Sequence, residues 1–287
     1  MFVIRTPISE AEAGRATDAL LGCFDPETSA AAALEIGKDW VLDAYYVQEP
    51  DLARIAEVLT AMLERPIAAT DIALRTLAKQ DWVQSSLEGL PPVAAGRFMV
   101  HGRHDRDRVP INAIPIEIEA GLAFGTGHHA TTLGCLCAID RLLKHRNPVN
   151  ALDLGTGTGL LAIGIARLAH IPVLATDIDT EAVRVSQDNV RANGAAAYVR
   201  LLHADGTRNR VVAENGPYDL IVANILARPL CHMATGITAQ AAPDCDLILS
   251  GLLDDQAPRV FAAYRARGWR LMKRDSIDGW TTLHLRR

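Results

Sequence analysis

Two regimes of hydrophobic patterning divide the 287-residue chain. In the first eighty or so residues apolar positions alternate over short runs at 2–6, 32–36, 40–47 and 71–78, with stretches of helical spacing between them. The order is β-α-β-β-α-β, which fits a small ferredoxin-like α+β unit. Ser9, with Glu12 three residues on, makes a capping-box start for the first helix, to about residue 24; the second runs from about 50 to 63. From residue 149 the pattern changes to short continuous apolar runs at 149–154, 172–176, 198–202, 219–223 and 246–250, separated by amphipathic stretches at 159–169, 180–193, 229–240 and 253–267. Strands that are apolar on both sides need cover on both faces, so this half is predicted as a doubly wound α/β domain with a parallel sheet. Two last strands, 269–274 and 281–285, form an antiparallel hairpin around the turn 276–279.

The stretch between the two regimes carries Pro91-Pro92, Pro110, Pro115 and the charged run Arg103 to Arg108, and reads as a connector with short strands at 98–101 and 116–118. The expected division is therefore 1–80, a linker at 81–118, and 119–287. His101, His104 and Asp105 have the spacing of metal ligands, but no cysteine or carboxylate cluster completes a set, and they are assigned to a solvated linker.

Bulk numbers add limits. With 49% hydrophobic and 22% charged residues the chain has the composition of a soluble globular protein, and its most apolar region, 160–176, is interrupted by Arg167, His170 and Pro172. No membrane association is expected. The first residues lack the basic start and apolar core of a signal peptide, and five cysteines without a C-x-x-C pair suit reduced thiols, so a cytoplasmic location and a monomer are the expectation. The net charge of -5 hides an asymmetry: residues 1–95 hold seven Lys+Arg against fifteen Asp+Glu, leaving 22 against 19 beyond. An acidic first third suits a basic protein partner and argues against direct nucleic-acid binding, although solubility alone explains the charge equally well.

Chemistry concentrates at Asn150-Ala-Leu-Asp153-Leu-Gly155-Thr-Gly157-Thr-Gly159-Leu-Leu-Ala162. A strand ends in an acid and breaks into three alternate glycines, which free the backbone for a tight turn and let a ligand approach the main chain. The dinucleotide fingerprint spaces its glycines G-x-G-x-x-G to admit a pyrophosphate; here the spacing is G-x-G-x-G, and Asp153 would repel a pyrophosphate and attract the ammonium of a methionine moiety. Asp177, ending the next strand, suits ribose hydroxyls in either ligand class. A parallel sheet closed by an antiparallel hairpin is the arrangement expected of the seven-stranded, Rossmann-like methyltransferase fold, which favours S-adenosylmethionine over a dinucleotide. Asp205, after the third strand, is placed to accept from the adenine amino group or to be a plain turn acid. Asn224, ending the fourth strand, offers an amide that can hold a neutral amine in line for methyl transfer; the competing reading makes it the N-cap of the helix near Pro229.

The motif Gly121-Leu-Ala-Phe124-Gly-Thr-Gly-His-His129-Ala-Thr131-Thr132, the Asp-Leu-Gly-Thr-Gly-Thr-Gly turn, Asn224-Ile-Leu-Ala227 and Leu249-Ser-Gly-Leu-Leu253 together resemble the ribosomal protein L11 methyltransferases. The resemblance covers essentially the whole chain; Ala130 stands where many members have proline, and Thr156 and Thr158 where Cys and Ser are common. It implies an N-terminal substrate-recognition domain, a linker and a catalytic domain, with methylation of lysine ε-amino groups and the N-terminal α-amino group of ribosomal protein L11 from S-adenosylmethionine. It also implies that the 124–132 block, including Phe124, lies over the cofactor, with Thr131 and Thr132 contacting it, and that Gly155, Asp177 and Asn224 bind it too. His129 is not assigned as a general base, because an already neutral amine needs none. The alternatives are a lysine methyltransferase for another protein, such as the electron-transfer flavoprotein β subunit, a non-catalytic cofactor-binding protein, or a dinucleotide oxidoreductase.

Overall fold

The structure is a computed structural model, described here for residues 2–21, 26, 28, 30–36, 39–46, 48–76, 92–118 and 130–287. It divides into two compact units, Met1–Ser85 and Ser86–Arg287. The first contains β1 (Phe2–Ile8), α1 (Ala13–Leu21), β2 (Ala30–Ile36), β3 (Asp39–Tyr46), α2 (Leu52–Leu63) and β4 (Ala73–Thr76). The sheet order is β2-β3-β1-β4, with its pairings antiparallel, as a ferredoxin-like unit requires. Period two along β1 and β3 turns Ile4, Ile8, Leu42, Ala44 and Tyr46 to the core they share with Leu20, Ile55 and Leu59 of the helices. The capping pair does more than start a helix. Glu12 accepts from the Ser9 backbone N–H at 2.7 Å and from Arg65 Nε at 2.7 Å, tying the start of the first helix to the end of the second. The Arg65 guanidinium is the first cause of a carboxyl held down at about 2.

The second unit opens with β5 (Val93–Ala95), β6 (Phe98–His101) and β7 (Ile114–Glu117), then α3 (Ala130–Leu142), β8 (Ala151–Leu154), α4 (Leu160–Ala169), β9 (Val173–Asp177), α5 (Thr180–Ala192) and β10 (Val199–His203). It continues with α6 (Arg210–Glu214), β11 (Tyr218–Asn224), α7 (Ala227–Gln240), β12 (Ala241–Leu253), α8 (Ala257–Arg265), β13 (Arg270–Ile277) and β14 (Trp280–Arg286). Seven strands form one sheet in the order β10-β9-β8-β11-β12-β14-β13, parallel from β10 to β12 and antiparallel at β14 and β13. This is the expected doubly wound sheet closed by a hairpin. Each face carries its own core: Leu152, Leu154, Ile221, Leu247 and Leu249 meet α7 and α8, while Ala151, Leu220, Val222 and Ile248 meet α3 and α4.

Residues 92–118 are not a solvated linker. Ala95, Phe98, Val100, Ile116 and Ile118 are buried in the same core as Leu136 and Ile163, so the three-stranded sheet β5-β6-β7 belongs to the second unit. Polar contacts fasten it there. Asp140 of α3 is paired with Arg97, and Asn193, just after α5, accepts from Glu117 N–H through Oδ1 at 2.8 Å and donates from Nδ2 to Glu117 O at 2.6 Å. The charged run between the apolar pairs, which looked like linker sequence, is a 3-10 helix, Arg103–Arg108, in the connection between the parallel strands β6 and β7. Asp105 in it is buried against Arg108 at 2.8 Å, and His101 points Nδ1 at its neighbour's carbonyl, Gly102 O, at 2.8 Å.

Helix α3 carried no helical signal in the sequence. It is buried on nearly all sides, with Thr131, Thr132, Gly134, Cys135, Leu136, Ala138 and Ile139 all inside, so it shows no polar face and no 3.6-residue period. Strand β12 runs further than the expected 246–250 and changes register between Leu249 and Leu252, where Gly251 takes φ +83.

Candidate functional site

Strand order reverses between β8 and β11, and ligands of open α/β sheets collect in the crevice at such a switch point, beyond the carboxyl ends of the strands. A cleft of about 480 Å³ lies there. Its first wall is the turn after β8. The N–H groups of Gly155 and Thr156 both donate to Thr176 O, at 2.8 and 2.9 Å, and Gly157 N–H donates to Asp177 Oδ2 at 2.9 Å. Gly155, Gly157 and Gly159 take φ of 71, 57 and 84, conformations that side-chain-bearing residues adopt only with strain. A Cβ on Gly155 would stand 2.4 Å from Ile225 Cγ2, so that glycine also brings the two walls together.

The sequence-predicted residues separate into groups. Thr132, Gly155, Gly157, Asp177, Asp205 and Asn224 line the cleft. Gly159 does not: it caps α4, and a Cβ there would meet Ser186 Cβ at 3.0 Å, so it permits close packing of α4 on α5. Thr131 is buried in the first turn of α3 behind the wall. Phe124, His129 and the rest of the 121–129 block lie outside the described residues.

Asp153 sits beneath the turn, not on the wall. Period two places it on the sheet face of Ala151, opposite to Leu152 and Leu154, so its carboxylate enters the core covered by α3 and α4. Its Oδ2 accepts from the Thr156 hydroxyl at 2.6 Å and from the Ala162 N–H at 3.1 Å; its Oδ1 is buried with no partner among the described residues. Burial pushes the carboxyl up to about 7. Asp177 ends β9, with Oδ1 accepting from Asp179 N–H at 3.0 Å. Asp205 is exposed, with Arg208 Nη1 3.5 Å from its Oδ2.

Asn224 is not a helix cap. The N-cap of α7 is Leu226, and Asn224 is the last residue of β11. Its Nδ2 donates to Thr132 Oγ1 at 3.3 Å, and its Oδ1 is buried without a partner among the described residues. In the described part of the second unit, Asp153 Oδ1 and Asn224 Oδ1 are the buried side-chain polar atoms left in that state. Asn224 lines the cleft and its Oδ1 is an acceptor, so a ligand completing it brings N–H or ammonium donors; Asp153 Oδ1 lies beneath the turn, away from the lining.

Several wall residues escaped the sequence reading. Ile178 and Leu226 are 68% and 69% exposed at the cleft, and Met233 joins them. Ile178 follows a strand-end acid and Leu226 lies two residues after Asn224, and an apolar residue just beyond a strand's carboxyl end is the available signal for both. The Ser250-Gly251 pair acts from behind: Ile225 N–H donates to Ser250 O at 3.2 Å, and a Cβ on Gly251 would stand 2.4 Å from Ile225 O. Among the described residues, the walls carry Asp177 and Asp205 and no lysine or arginine, a field suited to a cationic ligand and hostile to a pyrophosphate.

Comparison with known proteins agrees with this geometry. A family model described as ribosomal protein L11 methyltransferase (PrmA) matches residues 19–287. A ribosomal protein L11 methyltransferase of Bradyrhizobium diazoefficiens is 49% identical over 280 residues, 97% of this chain and 95% of that one. One from Rhodopseudomonas palustris is 48% identical over 277 residues, covering 96% and 94%. The crystal structure of a ribosomal protein L11 methylase from Lactobacillus delbrueckii subsp. bulgaricus superposes with a TM-score of 0.60 at 27% identity, covering 68% of this chain and 97% of that one. A doubly wound sheet with an acidic cleft at its switch point, joined to near-half identity over almost the full length, makes this chain a methyltransferase that belongs to the ribosomal protein L11 methyltransferase family.

Proposed function

We propose that the protein transfers methyl groups from S-adenosylmethionine to lysine ε-amino groups and the N-terminal α-amino group of ribosomal protein L11. The observation that carries this reading is Asn224 Oδ1, a buried acceptor without a partner among the described residues, on a cleft whose walls hold Asp177 and Asp205 and, among the described residues, no lysine or arginine. When bound, S-adenosylmethionine supplies a methyl group on a sulfonium centre, electrophilic toward a neutral amine. Gly155 and Gly157, whose own N–H groups are already donated to Thr176 O and Asp177 Oδ2, carry no Cβ and so let the ligand approach the turn closely, Asp177 accepts from ribose hydroxyls, and Asp205 accepts from the adenine amino group. Asp153 stabilises positive charge from beneath the turn. Thr132 closes the side formed by α3, with Thr131 behind it. Asn224 accepts the hydrogens of the target amine and so aims its lone pair; it is the catalytic residue of this reading. No residue need remove a proton before attack, since the amine reacts in its neutral form.

Substrate choice draws on the family and on the acidic first unit, whose surplus of carboxylates complements a basic ribosomal protein. Mass spectrometry of purified L11, incubated with the enzyme and S-adenosylmethionine, is expected to show methylated lysine and N-terminal amines. Unchanged L11, with another protein methylated in the same lysate, would remove L11 as the substrate.

A further inference from the structure

The stretch from Arg265 to Arg274 holds Arg265, Arg267, Arg270, Lys273 and Arg274 and no carboxylate. It forms the end of α8, a turn, and the first part of β13, the outermost strand of the seven-stranded sheet. The turn is pinned from below. Trp269 is buried under it, donates from Nε1 to Thr238 Oγ1 at 2.8 Å and meets the Tyr264 ring edge-on, with centres 6.4 Å apart. The five cations stand outside this fixed frame and are exposed.

Elsewhere on the surface cations are answered by carboxylates, as Arg184 is by Glu181 and Asp188. Here charge is left over. Arg267 donates to neutral oxygens, Thr235 Oγ1 at 2.9 Å and Ala263 O at 2.6 Å, and Arg265 Cζ lies 6.0 Å from the centre of the Phe261 ring. Arg270 has no carboxylate partner among the described residues and is the register partner of Arg286, a like-charge pair that costs stability. Asp246 offsets Arg286 at 2.8 Å and leaves Arg270 unanswered. Lys273 and Arg274 do reach carboxylates, Asp275 at 3.0 Å and Asp254 at 3.6 Å. By register Lys273 shares the face of Arg270 and Arg274 takes the other, so the open edge of β13 is positive on both sides.

We infer that the end of α8 and the edge of β13 form a docking surface for the phosphodiester backbone of RNA. RNA is the polyanion chosen because the functional reading above, on which this rests, makes the target a ribosomal protein. A row of unanswered guanidinium groups along an unpaired strand edge matches a line of phosphates, which accept from Arg, Lys and backbone N–H groups whatever the base sequence. Leu271 and Met272 offer too little apolar surface for a bilayer or for the centre of a protein interface. The acidic first third argues against nucleic acid for its own unit alone. This surface is on the second unit, three strands beyond β11 and so roughly 15 Å from Asn224 across the sheet.

Fluorescence anisotropy of a labelled RNA hairpin tests this with the full-length enzyme. The unmodified enzyme is expected to bind with a Kd on the order of 1–100 μM at physiological salt, and more tightly as salt falls. Combining Arg265→Gln, Arg270→Gln and Lys273→Gln should weaken binding about tenfold or more and flatten the salt dependence by about two to three ions. Affinity for S-adenosylhomocysteine and turnover on free L11 should stay within about twofold, because these side chains lie outside the cleft. Arg265→Lys with Arg270→Lys should keep RNA binding, and so should Arg184→Gln, Arg191→Gln and Arg210→Gln together, which remove the same charge from α5 and α6. No binding by the unmodified enzyme, an equal loss in that second triple variant, or tighter binding to a DNA hairpin or to anionic phospholipid vesicles overturns the inference. Should the first triple variant not fold, Arg270→Gln alone, expected to lower the salt dependence by about one ion, carries the same comparison. Unmethylated L11 after incubation with the unmodified enzyme removes the functional reading, an outcome separate from any loss of RNA binding.

Discussion

Gly157 and Asp177, on the first wall of the cleft, are 20 positions apart and joined by a hydrogen bond from a backbone N–H to a side-chain carboxylate, whereas Thr132 and Asn224, on the second, are 92 positions apart and joined through side chains alone. The first wall is made where one strand turns into its helix beside the next strand, and its donors are main-chain N–H groups, present whatever the side chain except at proline. Its positive-φ glycines fix its shape locally. The second wall exists only after α3, β11, β12 and β14 have packed, and its key group is an amide that can turn over. The shape of the first wall is therefore nearly intrinsic to its local sequence, and that of the second depends on remote packing.

The largest test of that contrast is Gly251→Ala. A Cβ there would stand 2.4 Å from Ile225 O at a residue of φ +83, so strain and overpacking together should cost about 2–4 kcal/mol in urea denaturation and displace Asn224. A variant with parental stability and turnover would show that the second wall does not lean on β12. Next in size is Asp177→Ala, which removes a charged acceptor from Gly157 N–H and from the ligand. S-adenosylhomocysteine affinity by calorimetry should fall about ten- to a hundredfold, while the first wall's glycines keep the turn itself intact.

Acid dependence probes the carboxylate beneath the first wall. Burial raises Asp153 from an ordinary 3.8 to about 7, so the free folded protein retains a proton that the unfolded chain has released. Its contribution to stability is present in full below about pH 4 and is lost as the pH rises through about 7. A cationic ligand favours the carboxylate, and S-adenosylmethionine affinity should therefore rise about three- to tenfold between pH 6 and 8, a dependence that Asp153→Asn abolishes. A flat profile in the unmodified protein would take Asp153 out of ligand recognition. The smallest effect belongs to Asp205→Ala: the side chain is 64% exposed and screened by water, so affinity should drop no more than about fivefold. A larger loss would mean that this acid is enclosed when the ligand binds.

Legibility followed the same division. The glycine turn, the strand-end acids and the β-α-β-β-α-β unit were readable, because each is written in period, spacing or turn chemistry over a short stretch. Residues 92–118 misled for a physical reason: Phe98, Val100, Ile116 and Ile118 fill a core, yet a charged turn and prolines between them imitate a linker. Helix α3 was invisible because a helix buried all round has no amphipathic stripe to detect. Gly159, read as part of the cradle, proved to be a packing glycine because its neighbour in space, Ser186, comes from the following helix.

By itself the sequence determined the α/β class, the position of the glycine turn and the identity of Asp177, Asp205 and Asn224 as edge residues, all consequences of local backbone preference and strand period. Tertiary structure alone decided that Asp153 lies under the turn with a raised pKa, that Gly251 supports Ile225, and that Thr132 reaches Asn224. Those outcomes depend on which faces of distant elements meet, and burial and close approach have no signature in the spacing of residues along a chain.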